Sequence, residues 1–163
     1  MTDPDDVFMQ EALREAEAAA GSGEVPVGAV AVLNGEIIAR GRNAAIGDCD
    51  PTAHAEMTVL RRAARKIGNY RLNGVSVYVT LEPCLMCYAA MVHARVQRLV
   101  FGAEDPKTGV LSTGALERVA VVFNHAVALE GGCMRAQCSR LLKDFFIERR
   151  GAGAVERGGL ENR

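Results

Sequence analysis

The chain has 163 residues, 49% hydrophobic and 24% charged, with 19 Lys and Arg against 20 Asp and Glu for a net charge of −1. This length suffices for one core without staples. The balance is that of a globular chain rather than a disordered or membrane-embedded one, and near-neutrality gives no overall attraction for a polyanion. Five cysteines, and an N-terminus (MTDPDDVFMQ) without the basic-then-apolar pattern of a signal peptide, lead us to expect a reducing compartment, the cytoplasm.

In chain order, residues 5–20 read as a helix with Asp3 or Asp5 as its cap and Gly21 and Gly23 as its stop. Val27–Leu33 is an apolar run suited to a strand covered on both faces. Asn34-Gly35 is a strong hairpin signal, so residues 36–41 should return antiparallel. After a loop over 42–50, Asp50-Pro51-Thr52 starts a helix to about Lys66, with His54 and Glu56 in its first turn. Residues 75–81, β-branched and aromatic, form a central strand that leads into a second helix from Pro83 to about His93 or Arg95. Residues 99–102 and 126–130 are further strands, separated by the Gly-rich loop 102–114, and Cys133–Arg150 is an amphipathic helix. The alternation of strand and helix from residue 75 onward implies right-handed crossovers and parallel pairing, hence an α/β fold with five strands. Residues 1–150 read as a single domain, and residues 151–163, GAGAVERGGLENR, as a disordered tail.

The chemistry concentrates in His54-Ala55-Glu56 and Pro83-Cys84-Leu85-Met86-Cys87. Cys-x-x-Cys at the start of a helix sets two sulfurs on neighbouring positions of one face, where free N–H groups favour thiolate. With one imidazole they make three zinc ligands, one short of a closed site, and an open position is the mark of a catalytic zinc. Glu56 then stands beside the ion as a proton carrier and not as a ligand. A closed structural zinc site or a redox pair remain as alternatives, but no second Cys-x-x-Cys exists to close a finger, and a redox pair leaves His54 and Glu56 unexplained. His-x-Glu followed by Pro-Cys-x-x-Cys is the signature of the zinc nucleobase deaminases.

Beyond that signature, Glu24–Val30, Asp50–Glu56, Tyr78–Cys87 and Phe101–Gly109 resemble the bacterial tRNA-specific adenosine deaminase family, over roughly residues 5–150. The resemblance implies a three-layer α/β/α cytidine deaminase-like fold with a five-stranded mixed sheet. It also implies conversion of adenosine to inosine at the wobble position of an anticodon, one zinc ion (Zn2+) per subunit on His54, Cys84 and Cys87, and Glu56 as base and then acid. Asn43 would contact the base, Val27 and Leu81 would wall the pocket, and Asp105 and Lys107 would meet the flipped nucleotide. Phe146, Arg149 and Arg150 would approach the anticodon stem-loop of the tRNA, and the enzyme would be a homodimer with no membrane association. Each has a plainer reading: Asn43 and Asp105 as turn residues, Arg149 and Arg150 as helix-end cations. The sequence departs from the family at Ala89, Ala126, Ile147, Glu148 and the run Val110–Gly114. A small-molecule deaminase acting on guanine, cytosine or cytidine is the rival reading within the fold. A non-catalytic RNA-binding or dimer-partner subunit is the rival outside the enzyme class.

Overall fold

The structure, a computed structural model, describes residues 1–160, with side chains as far as Gly153. Its element order is α1 (Pro4–Gly21), β1 (Gly28–Leu33), β2 (Glu36–Arg42), α2 (Ala55–Ile67), β3 (Ser76–Leu81), α3 (Leu85–His93), β4 (Arg98–Ala103), α4 (Ala115–Val119), β5 (Ala128–Gly131) and α5 (Arg135–Leu160), with a 3₁₀ turn over Ala120–Val122 after α4. The five strands form one sheet in the order β2-β1-β3-β4-β5. β1 is antiparallel to β2 and β3, whereas β4 is parallel to β3 and β5. The sheet is therefore mixed, as expected.

The period-2 alternation of strand side chains produces the layers. Ala29, Ala31, Val77, Val79, Leu99 and Phe101 point to one face, where they pack with Val59, Leu60 and Ala63 of α2 and Tyr88, Met91 and Val92 of α3. Val30, Val32, Tyr78 and Val100 point to the other, against Met9 and Leu13 of α1 and Cys138 of α5. A sheet apolar on both faces needs a helix layer on each side, which is the three-layer α/β/α arrangement. Gly28 is where α1 lies closest: a Cβ there would come 2.1 Å from the Ala12 carbonyl oxygen. The Asn34-Gly35 hairpin takes the left-handed backbone at both residues, with φ of 52° and 80°, as its turn requires.

Three boundaries differ from the sequence reading. His54 is the N-cap of α2 and Cys84 the N-cap of α3, so Pro83 precedes the cap instead of occupying the first turn. The last helix does not stop at Arg150. It is helical as far as Leu160, through most of the stretch expected to be a disordered tail, and 161–163 lie outside the described residues. Extending a formed helix avoids the nucleation cost that an isolated segment would meet, and Ala152, Ala154, Glu156 and Arg157 are good helix formers.

Candidate active site

Both helix starts that carry the motif face one place, because β3 delivers α3 directly while the 43–54 loop brings α2 in from the neighbouring strands. The α2 start is built by local polar contacts. Asp50 Oδ1 accepts from the Thr52 N–H and hydroxyl at 2.8 and 2.7 Å, and Asn43 Oδ1 accepts the Ala55 N–H at 3.0 Å. Asn43 thus does for α2 what the cap side chain cannot, since His54 makes no capping bond of its own. His54 is free to turn its ring toward α3.

His54 Nδ1 lies 3.7 Å from Cys84 Sγ and 3.4 Å from Cys87 Sγ, and the three donor atoms lie within 4.8 Å of one another. A tetrahedral zinc with bonds of ~2.3 Å to sulfur and ~2.0–2.1 Å to nitrogen sets those donors about 3.5–3.6 Å apart. The residues fit the ion, and two thiolates with an imidazole are the donor chemistry zinc prefers. Glu56 is only 4% exposed and borders the same cavity, so it is poised beside the donors without adding to them.

The electrostatics of the donor group follow from crowding. The hydrogen bond with Cys87 holds the Cys84 thiol down at about 4, with His54 assisting. Cys87 is pushed up because it supplies that bond and is buried. The contact with Cys84 raises His54. Burial lifts the Glu56 carboxyl to about 7, against the pull of His54. The hydrogen bonds thus favour thiolate at Cys84, and a buried carboxyl near neutrality can both take and give a proton.

A cavity of about 150 Å³ opens over the donors, lined by Val25, Val27, Asn43, His54, Glu56, Leu81, Glu82, Cys84, Asp105 and Thr108. It is small beside the ~300–1,000 Å³ of a drug-sized ligand site, and suits one flat ring. Val27, Asn43, Leu81 and Asp105 are together here, as the sequence suggested. Lys107 is not. It lies with Phe146, Arg149 and Arg150 in a separate groove of about 920 Å³ along α5, which also takes in Leu142, Lys143 and Ile147. None of the three donors lines the larger groove, whereas the smaller cavity is lined by His54, Glu56 and Cys84. Arg149 stacks over the Phe145 ring at 5.3 Å. His125 bonds the Val96 carbonyl at 2.8 Å, a structural role.

Sequence reasoning missed four residues. Val25 and Thr108 complete the pocket wall. Glu24 and Glu82 are buried carboxylates, 5% and 2% exposed. Glu24 accepts the Ile46 and Gly47 N–H groups at 3.2 and 2.7 Å and so shapes the loop after Asn43. Both acids sit beside apolar residues just before a proline, Glu24-Val25-Pro26 and Leu81-Glu82-Pro83. Acids are seldom buried without partners, so sequence alone carries no strong signal for either.

An α/β/α sandwich with a His-Cys-Cys group where two helix N-termini meet defines the cytidine deaminase-like class of fold. The family model of MafB19-like deaminases matches residues 3–150. A tRNA-specific adenosine deaminase of Bacillus subtilis is 45% identical over 146 residues, 90% of this chain and 91% of that protein. A solved structure from a study of A-to-I editing by tRNA:A34 deaminases at the wobble position of transfer RNA superposes with a TM-score of 0.80 at 43% identity, over 83% of this chain and 99% of the other. A guanine deaminase from Bacillus subtilis superposes less well, with a TM-score of 0.60 at 34% identity over 71% of this chain and 69% of the other. The chain belongs to the tRNA-specific adenosine deaminase family.

Proposed function

We propose that this protein hydrolytically deaminates adenosine to inosine at the wobble position of a tRNA anticodon, with one zinc ion per subunit on His54, Cys84 and Cys87. The observation that carries the proposal is the buried Glu56 beside a three-donor group at the floor of a one-ring pocket. Zinc, when bound, supplies the Lewis acid that makes water nucleophilic at neutral pH. Water adds at C6 of the base, the C6–N6 bond breaks and ammonia leaves. Glu56 takes the proton that water gives up and passes it to the departing nitrogen. Asn43 has one lone pair of its oxygen engaged by Ala55, which leaves its amide N–H₂ free to donate to the base. Val25, Val27 and Leu81 exclude water around the ring, and Asp105 and Thr108 stand at the pocket mouth against the sugar.

The pocket accepts only a base taken out of its stack, so the flanking nucleotides must lie outside it. The groove with Lys107, Lys143, Phe146, Arg149 and Arg150 supplies cations and an aromatic ring for them. This local patch answers the near-neutral net charge: recognition rests on a concentrated face rather than on the whole surface. The exposed Tyr70, Val121 and Val122, beside a surface formed with Val92, His93 and Phe123, make the face on which a second copy would sit, giving a homodimer. Among the described residues no helix is long and apolar enough to cross a membrane, and five free cysteines suit work in the cytoplasm.

The test is inosine formation in an anticodon stem-loop with adenosine at the wobble position, beside free guanine, cytosine, cytidine and adenosine. Inosine in the stem-loop alone is the expected result. Turnover of guanine or another small molecule instead would retain the zinc chemistry and replace the substrate.

A further inference from the structure

Glu82 has no part in the chemistry above, yet it is a carboxylate buried to 2% exposure two residues before a metal donor. Its burial is compensated by donors, and no ion pair involving it occurs among the described residues. Oε1 accepts the Asp105 N–H at 3.2 Å and a short hydrogen bond from the Ser112 hydroxyl. Oε2 accepts the Leu111 and Ser112 N–H groups at 2.9 and 3.0 Å. All four donors belong to one surface loop, at both its ends. Between those anchors lie Lys107 and Thr108, and Asp105 closes its own turn by accepting from Lys107 and Thr108.

We propose that Glu82 is a positioning residue for the substrate: its carboxylate clamps the 105–112 loop to the entrance of α3, fixing Asp105 and Thr108 at the pocket and Lys107 at the groove relative to the metal donors. The proposal rests on the RNA reading above for what those side chains meet. Two further contacts run along the same seam. The Val110 N–H donates to the Pro83 carbonyl at 3.0 Å, and Cys84 and Gly109 form a β-bridge. Gly109 leaves room for the carboxylate, since a Cβ there would stand 2.0 Å from Glu82 Oε2 and 2.6 Å from the Asp105 carbonyl oxygen. Three of the four donors are backbone N–H groups, which any residue except proline supplies. That is why the loop stays anchored although Val110–Gly114 departs from the family pattern. A surface loop held only by its own contacts would open at small free-energy cost, and RNA would then have to order it on binding.

Glu82→Gln tests this with little change of volume. Its amide can give a hydrogen bond to the Ser112 hydroxyl while its oxygen serves Leu111 and Ser112, so the Asp105 N–H alone loses its acceptor. The expected result is a KM for the stem-loop raised about tenfold, kcat changed much less, zinc content unchanged, and faster amide exchange at Asp105. Ser112→Ala, which leaves the carboxylate in place, should raise KM by about two- to threefold in the same direction. A residue needed only for folding would instead lower zinc content and kcat together and leave KM alone, and that outcome overturns the proposal. Unchanged exchange at Asp105 overturns it as well, and so does faster exchange with unaltered KM. If the wild-type protein turns over a free base and not the stem-loop, the substrate reading fails, while exchange at Asp105 and KM for that base still decide the role of Glu82.

Discussion

The donor group and the flank beside it are built differently. The donors stand on secondary structure: His54 and Cys84 are helix N-caps, Cys87 is one turn further on, and the strand beneath them is buried on both faces. The flank is the 105–112 loop and one face of the last helix, held by hydrogen bonds to a buried carboxylate and by exposed side chains. The first region has few ways to change without losing one of the three donors. In the second, backbone contacts do the holding and side chains can vary, as Val110–Gly114 does. Chemistry common to many deaminases and recognition particular to one substrate can therefore evolve separately on one fold.

The largest effect should come from the donors. His54→Ala or Cys87→Ser should reduce bound zinc to well below one per chain and bring turnover to background, read by metal analysis and inosine yield. Chelation followed by zinc addition should abolish and then restore activity in the wild type but not in these variants. If either variant kept full activity, the donor assignment would be wrong. Next, Gly109→Ala should displace the Glu82 carboxylate or the loop above it and raise KM for the stem-loop by about tenfold or more while zinc stays bound. An equal loss of zinc would mean the two regions are not separable.

Smaller effects are expected in the groove. Arg150→Ala should weaken stem-loop binding severalfold and reduce the log–log salt slope by about 1, as the loss of one phosphate contact does. Arg149→Ala should lose its stacking on Phe145 too. The smallest lies at the other end of the sheet. Arg98, first residue of β4, bonds Asp5 and Glu130 at 2.6 Å each. The Arg98 hydrogen bond holds the Asp5 carboxyl below its ordinary value. Its folded pKa being depressed, this contribution is fully present above the unfolded pKa of about 4 and lost as pH falls through the folded one. Asp5→Asn should lower stability by up to ~1 kcal/mol at pH 7 and flatten the acid limb of denaturant midpoints, with kcat unaltered. A changed kcat would show that the two ends communicate.

Much of the fold is legible in the sequence. The Asn34-Gly35 turn, the apolar strands and the presence of the helices each carry a local signal that tertiary packing reinforced. The clustering of His54, Cys84 and Cys87 was legible because donor chemistry restricts residue type and spacing together. What escaped was long-range hydrogen bonding. The four bonds from the 105–112 loop to Glu82 span 23 to 30 residues of sequence, and no periodicity reveals such partners. Asn43 shows the same limit: its side chain was read as a contact to the base, and that its oxygen also caps α2 was not foreseen. The end of α5 was misjudged because composition describes a segment alone, while here a packed helix precedes it.

One preparation of Glu56→Ala tests the account most directly, with zinc content, stem-loop affinity and inosine yield all measured on it. The variant should keep one zinc per chain and wild-type affinity, with inosine formation reduced by at least the ~10²–10⁴-fold that a proton carrier contributes. Near-normal inosine formation, or loss of the zinc along with the activity, would contradict it.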